Sequence, residues 1–270
     1  MVYKFSKTHI GYSHINNKKP CQDFSCSYHD EEKTIITSCD GHGGALYIRS
    51  DKGSKFASRA IMEAFLNVNS KQLKLSDEDL LKHIKLNALT EWNKLVEQDL
   101  SRNPIKKKEV LHLNSNDLFR LQSNQNKAYG TTMIGAMIYK NKLIVIQLGD
   151  GGAFIYSKGN ITPAIDDDDE LAGNITYSMC SDNAFNHMHG AIYDFKKVDG
   201  ILICSDGVLN PYQNYANFYN FMKNIIINVN DNNFDEIKNY VVDLGEKSGI
   251  GDDVSLALVQ KKKIIAKKYN

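Results

Sequence analysis

The stretch GTTMIGAMIYKNKLIVIQLGDGGAFIYSKGNI, residues 130–161, decides how this chain folds. Runs of β-branched and apolar residues are interrupted at Lys140-Asn141 and again at Gly149 to Gly152, pairs and clusters that favour tight turns. The spacing predicts three short strands joined as a meander of antiparallel hairpins. Outward from it, TIITSCD (34–40), GILICSD (200–206) and VSLALVQ (254–260) are further short apolar runs bounded by Gly or polar residues, and so read as buried strands. Residues 1–40 read as strands and turns with a polar knot at Asn16 to Pro20, and Ala191 to Phe195 as one more strand.

Helical spacing fills the gaps. Ala45 to Leu66 repeats apolar residues at Leu46, Ile48, Phe56, Ala60, Ile61, Ala64 and Phe65. Ser76 followed three residues later by Asp79 resembles a capping box, and opens a helix to about Leu100 whose apolar face includes a core Trp92. Residues 101–128 read as a polar connector with a short helix near Asp117 to Leu121, and Tyr212 to Ile227 and Phe234 to Lys247 as late helices. Ile165 to Gly190, with acids at Asp166 to Asp169 and histidines at His187 and His189, lacks periodicity and suits a mobile loop or flap. The expected class is α+β: two antiparallel sheets packed face to face with helices outside, an αββα sandwich formed by one domain over residues 1–270.

The chemistry lies at the strand ends. Asp40, Asp150 and Asp206 each close an apolar run, and Asp252 with Asp253 opens another. One Asp beside Gly is an ordinary turn pair, but several acids at buried strand ends repel each other unless a cation holds them together. An oxygen-only donor set suits Mg²⁺ or Mn²⁺ better than Zn²⁺. Such a centre acidifies water and clamps a tetrahedral anion, which suits phosphate-ester hydrolysis. In CDGHGG (39–44), His42 stands two residues from Asp40, near enough to protonate a departing alkoxide, while Gly41, Gly43 and Gly44 allow close backbone approach.

Other chemistries lack their anchors. None of the five cysteines has an Arg at the spacing a cysteine-based phosphatase requires, and the motifs of P-loop NTPases, zinc proteases, serine hydrolases and EF-hands are absent. At 33 Lys and Arg against 32 Asp and Glu, the formal charge of +1 gives no field for nucleic acid or a membrane surface, and the basic runs Lys106–Lys108 and Lys261–Lys263 read as solvated faces or a tail. An odd cysteine count without a CxxC pair suits a reduced, cytoplasmic compartment, and no apolar run is long enough for a signal or a membrane span.

The ordered set SHINNKKPCQDFS (13–25), CDGHGG, GTTMIGAMI, LGDGGAFIY, LICSDGVLN and GDDVSLALV resembles the metal-dependent protein phosphatases of the PPM or type 2C family, in particular short bacterial-type members. The resemblance spans nearly the whole chain. It implies two Mn²⁺ or Mg²⁺ ions with a weaker third, and hydrolysis of phosphoserine or phosphothreonine by an activated water without a covalent intermediate. Position by position, it implies that Asp40 bridges two metals, that the Gly41 carbonyl binds one, and that Asp206 and Asp252 complete the other. It assigns Asp150 to the weaker ion, Asp23 to the support of metal-bound water, His42 to general acid, and residues 165–190 to a variable flap. Three departures stand out: no Arg precedes Arg49, so His14 or Lys18 is left to bind the substrate phosphate, Gln22-Asp23 replaces a Glu-Asp pair, and Asp253 stands where Asn often follows the last metal acid, which leaves Asp252 available. The expected partners are a phosphorylated protein and a cognate Ser/Thr kinase. Two other readings stay open, an inactive binding module on the same fold and a phosphatase of small phosphorylated molecules.

Overall fold

A computed structural model describes residues 2–165, 176–212 and 214–262, and in it the quoted stretch forms β4 (Met133–Tyr139), β5 (Lys142–Leu148), β6 (Gly152–Ser157) and β7 (Asn160–Pro163). β4 and β5 make the expected hairpin, with Tyr139 opposite Lys142. β6 does not continue the meander. Gly149 takes a φ of 101°, a left-handed value that turns the chain out of the sheet of β4 and β5, and β6 pairs with β7 and with β9 (Gly200–Cys204) in the other. The remaining strands are β1 (Val2–His9), β2 (Phe24–His29), β3 (Lys33–Cys39), β8 (His189–Asp194) and β10 (Val254–Lys261).

The two sheets run β1-β10-β9-β6-β7 and β2-β3-β4-β5-β8, with every described pairing antiparallel. Alternation puts Ile36, Ile134, Val145, Ile155, Ile203 and Ala257 between the sheets, where they form one apolar cluster. The outer face of the second sheet packs on α2 (Ser50–Leu66) and α3 (Asp77–Arg102), with Trp92, Phe65 and Ile61 fully buried. The outer face of the first packs on α7 (Tyr215–Asn230) and α8 (Phe234–Asp243) through Phe218, Ile225 and Val241. These layers are the expected αββα sandwich. Short helices α1 (Tyr12–Asn16), α4 (Ser115–Ser123), α5 (Ala184–His187) and α6 (Asp206–Leu209) sit in the connections.

Ser76 caps α3 as its sequence indicates, accepting from the Asp79 amide at 3.1 Å. α2 begins later than its apolar spacing suggests, at Ser50 rather than Ala45. The Arg49 amide donates to the Ala128 carbonyl at 2.8 Å, so residues 45–49 are held against the connector before the helix starts. The flap expectation covers residues of two kinds. Asp166 to Asp169 lie outside the described residues, as does Lys263 of the basic tail. Residues 176–190, by contrast, are packed: Met179, Cys180, Ala184 and Met188 are buried against α3 and its sheet, and the Met179 amide donates to the Thr131 carbonyl at 2.8 Å. All five cysteines are free thiols, and among the described residues no helix is long and apolar enough to cross a membrane.

The contact between sheets is the load the rest of the molecule is built around, and Ile36 lies at its centre with no exposed surface. Ile36→Ala is expected to cost about 2–5 kcal/mol, read as a lower urea midpoint with an unchanged slope. A loss under about 1 kcal/mol would show that the sheets do not press on each other there.

Candidate functional site

Register gathers the acids at one rim. In the second sheet Phe24 pairs with Cys39 and Met133 with Leu148, which sets Asp23, Asp40 and Asp150 just beyond the same end of β2, β3 and β5. In the first sheet Cys204 pairs with both Leu256 and Gly152, which brings Asp206 and Asp252 to that end too. Asp40, His42, Asp150, Asp206 and Asp252 line an open cleft of about 330 Å³, together with His14 and Lys19.

The backbone around Asp40 is clamped. Its amide donates to the Thr132 hydroxyl at 3.0 Å, and its carbonyl accepts from the Thr132 amide and the Thr131 hydroxyl at 2.8 and 2.7 Å. Gly41 forms a single bridge with Thr131, made through neighbouring amides and carbonyls, so its own carbonyl stays out of the ladder. A Cβ at Gly41 would stand 2.6 Å from the carbonyl oxygens of both Gln22 and Ser50, so only glycine allows this approach. Asp150 sits at the rim and accepts from the Thr176 hydroxyl.

Burial sets the electrostatics. It pushes Asp40 well above the usual carboxylate range, and the nearby charges of Asp23, Asp206 and Asp252 push it further. Asp206 is raised by burial as well, against a hydrogen bond with Asp40 that favours its ionised form. Asp23, 3% exposed, is raised to about 8 by burial, with the Ser205, Asp40 and Ser255 side chains opposing the rise. Asp206 Oδ1 and Asp23 Oδ2 are buried with no partner.

These facts bear on whether Mn²⁺ or Mg²⁺ fits. Among the described residues no three His, Cys, Asp or Glu side chains stand ready-arranged around a cation, so the carboxylates would have to rotate inward to close a shell. The donor set is nonetheless right: only oxygens, with orphaned buried oxygens on two of the acids. The residues fit a hard divalent cation.

His42 also points its chemistry at the cleft. Burial lowers its imidazole to about 4, with the Asp150 charge opposing, and Nε2 is buried without a partner. The ring packs against Tyr47, centroids 4.8 Å apart. Of the two candidates for the phosphate, His14 lines the cleft and Lys18 does not; Lys18 is exposed in a turn at φ 54°, and the cleft receives its neighbour Lys19. Arg49 is committed elsewhere, bidentate to Glu109 at 2.9 and 3.2 Å and bonded to the Asn103 carbonyl and the Tyr129 hydroxyl at 2.7 Å each.

Asp253 is the functional residue that sequence reasoning passed over. It is 2% exposed and accepts from the Gly11 amide at 2.8 Å, the Gln22 amide at 2.5 Å and His14 Nδ1 at 2.8 Å. One carboxylate therefore ties both ends of the loop before β2 to the start of β10 and fixes the His14 ring. At Gly11 the fit is tight, since a Cβ would stand 2.3 Å from the Asp252 carbonyl carbon. The only signal was the second acid of the pair Asp252-Asp253, which a sequence reads as a turn.

Comparison with known proteins identifies a family and a shared fold. The profile of the family described as Protein phosphatase 2C matches residues 10–241. No sequence among curated proteins matches the chain. Among solved structures, the chain is similar to the serine/threonine phosphatase of S. agalactiae, at 17% identity over 97% of this chain and 100% of that one, with a TM-score of 0.65. It is similar to the serine/threonine phosphatase Stp1 of Staphylococcus aureus, at 16% identity over 97% and 96%, with a TM-score of 0.64. It is also similar to the catalytic domain of the phosphatase PstP in complex with two manganese ions, at 14% identity over 97% and 99%, with a TM-score of 0.59. At these identities the likeness is one of fold.

Asp253→Ala leaves two amides and an imidazole without their buried acceptor, and is expected to lower stability by about 3–5 kcal/mol. Asp253→Asn keeps one acceptor oxygen and is expected to fall between. Urea unfolding checks both, and an Asp253→Ala protein as stable as the parent would remove this carboxylate from its tethering role.

Proposed function

The chain belongs to the protein phosphatase 2C family, and on that premise we propose that it is a metal-dependent serine/threonine protein phosphatase. The observation that carries this reading is the convergence of Asp40, Asp150, Asp206 and Asp252 on one open cleft, with buried carboxylate oxygens on Asp206 and on Asp23 left unpartnered. The net reaction is hydrolysis: water attacks phosphorus, the P–O bond to the serine or threonine oxygen breaks, and the alcohol and inorganic phosphate leave.

Asp40, Asp206 and Asp252, with the Gly41 carbonyl, would hold two Mn²⁺ or Mg²⁺ ions, and Asp150 with Asp206 a weaker third. Bound there, the ions supply an acidified water and positive charge against the phosphoryl oxygens. Asp23, buried beside Asp40, would support the metal-bound water. His42 brings the imidazole. Burial holds it neutral in the free protein, and an incoming phosphate dianion favours its protonation, so that Nε2–H can be delivered to the departing alkoxide.

His14, oriented by Asp253, and Lys19 line the cleft where an Arg is missing, and we assign them the phosphate oxygens. Lys gives a point charge rather than a fork, so the phosphate is held less rigidly than by Arg. The presence of these groups, and of every metal acid, weighs against an inactive binding module. The free thiols suit a reducing, cytoplasmic setting, where the partner of such an enzyme is a Ser/Thr kinase.

Phosphate release from a phosphothreonine peptide is expected to require Mn²⁺ or Mg²⁺ and to be abolished by Asp40→Asn and by Asp206→Asn. Asp150→Asn should instead shift the metal-activation curve to higher concentration; turnover and calorimetric Mn²⁺ binding that survive Asp40→Asn would refute the site. His42→Ala is expected to slow the phosphothreonine peptide by about 10²- to 10⁴-fold and an activated aryl phosphate much less, because a phenolate leaves without a proton. Equal losses on both substrates would take the general-acid role from His42.

A further inference from the structure

Next to the catalytic cleft lies a second one of about 530 Å³, and the two share Lys19 and Gly43 along their common edge. Its far wall comes from the connector between α3 and α4, through Lys108, Glu109 and His112. The connector is not loosely placed. Arg49, immediately before α2, grips Glu109 with its guanidinium fork and bonds the Asn103 carbonyl, and His112 Nε2 lies 3.3 Å from the Ala45 carbonyl in the loop that follows His42. The wall is therefore fixed to the same segment that carries Asp40 and His42.

The charges of this pocket do not cancel. Glu109 spends its negative charge on buried Arg49, which holds its carboxyl below the usual range, and Asp51 faces Lys55 of its own helix at 4.0 Å. Lys19 and Lys108 line the same space, and among the described residues neither ammonium group has a carboxylate within ion-pair distance. What remains is a net cationic pocket, open to solvent and continuous with the place where a phosphorylated side chain would sit.

We propose that this pocket is a specificity subsite for an anionic side chain flanking the phosphorylated residue of the substrate, with Lys108 as its reading residue. The proposal rests on the phosphatase reading above for the position of the phosphorylated residue. Lys108 touches neither the metal acids nor His42, so it acts on affinity and not on the chemical step. An exposed ion pair of this kind contributes about 0.2–1 kcal/mol, which corresponds to about a 1.5- to 5-fold change in affinity, and it weakens as salt is raised.

The test compares phosphothreonine peptides that differ only in the flanking residues, carrying glutamine, glutamate or a second phosphothreonine. KM and kcat are measured for each, and binding of their non-hydrolysable phosphonate analogues is followed by fluorescence anisotropy. The expected result is a lower KM and tighter analogue binding for the anionic flanks at equal kcat, a difference that shrinks between 50 and 500 mM salt. The glutamate and phosphothreonine arms show which anion the pocket prefers. K108A should erase the preference and K108E should invert it, while hydrolysis of an aryl phosphate without flanking residues stays unchanged in both. Equal binding of all flanks, or a preference that survives K108A and K108E, would overturn the subsite. Because the anisotropy arm needs no turnover, it decides the subsite even if none of the peptides is hydrolysed, an outcome that would count against the phosphatase reading alone.

Discussion

Everything at the active rim follows from carboxylates placed closer together, and deeper, than their charges tolerate. An isolated ionised carboxylate in a low-dielectric site is strongly destabilised, and neighbours of the same sign add to the penalty. In this protein burial drives Asp40, Asp206 and Asp23 toward their protonated forms, and the neighbouring acids push Asp40 and Asp206 further. The scaffold invests hydrogen bonds to keep Asp40 there nonetheless, since two threonines fix its backbone. On the proposed reading, a divalent cation would relieve that repulsion.

The sandwich supplies the rigidity that this requires. Neither sheet holds the set alone, since Asp23, Asp40 and Asp150 extend from one and Asp206 and Asp252 from the other. Their separation is fixed by the apolar layer between the sheets, and the β5 to β6 crossing at Gly149 stitches the two at the rim itself. Asp253 adds the loop before β2, fixing the His14 ring and the Gln22 amide in the same stroke. Residues 176–190 close the other flank, with Ser178 and Met179 bonded to Thr131 and Thr176 to Asp150. Packing and chemistry thus share the same residues.

Much of this is legible in the sequence, because short apolar runs bounded by glycine and aspartate record both a strand and its functional end. The layers, the Ser76 cap, buried Trp92 and all the rim acids could be read that way. Other features could not. Local spacing makes Gly149 to Gly152 look like any hairpin turn, and only the sheet in which β6 finds its partner tells a crossing from a meander. Lys18 and Lys19 are indistinguishable as letters; the left-handed φ at Lys18 decides which of them faces the cleft. Asp253 looked like a substituted neighbour of a metal acid, because its three partners lie more than 230 residues away in the chain. The start of α2 is hidden for a similar reason: Leu46 and Ile48 keep a helical spacing, while the Arg49 amide is held by the Ala128 carbonyl of the connector and the helix begins at Ser50.

The central claim, that these carboxylates are strained without a divalent cation and relieved by it, is tested most directly by equilibrium unfolding of the parent and Asp40→Asn proteins, each with and without Mn²⁺. The account predicts that the metal-free Asp40→Asn protein is at least as stable as the parent, because a repelling buried acid has been made neutral. It predicts that Mn²⁺ stabilises the parent, by about 2.7 kcal/mol at a hundred times its dissociation constant, and leaves Asp40→Asn unmoved. A metal-free Asp40→Asn protein clearly less stable than the parent, gaining as much from Mn²⁺ as the parent does, would contradict it.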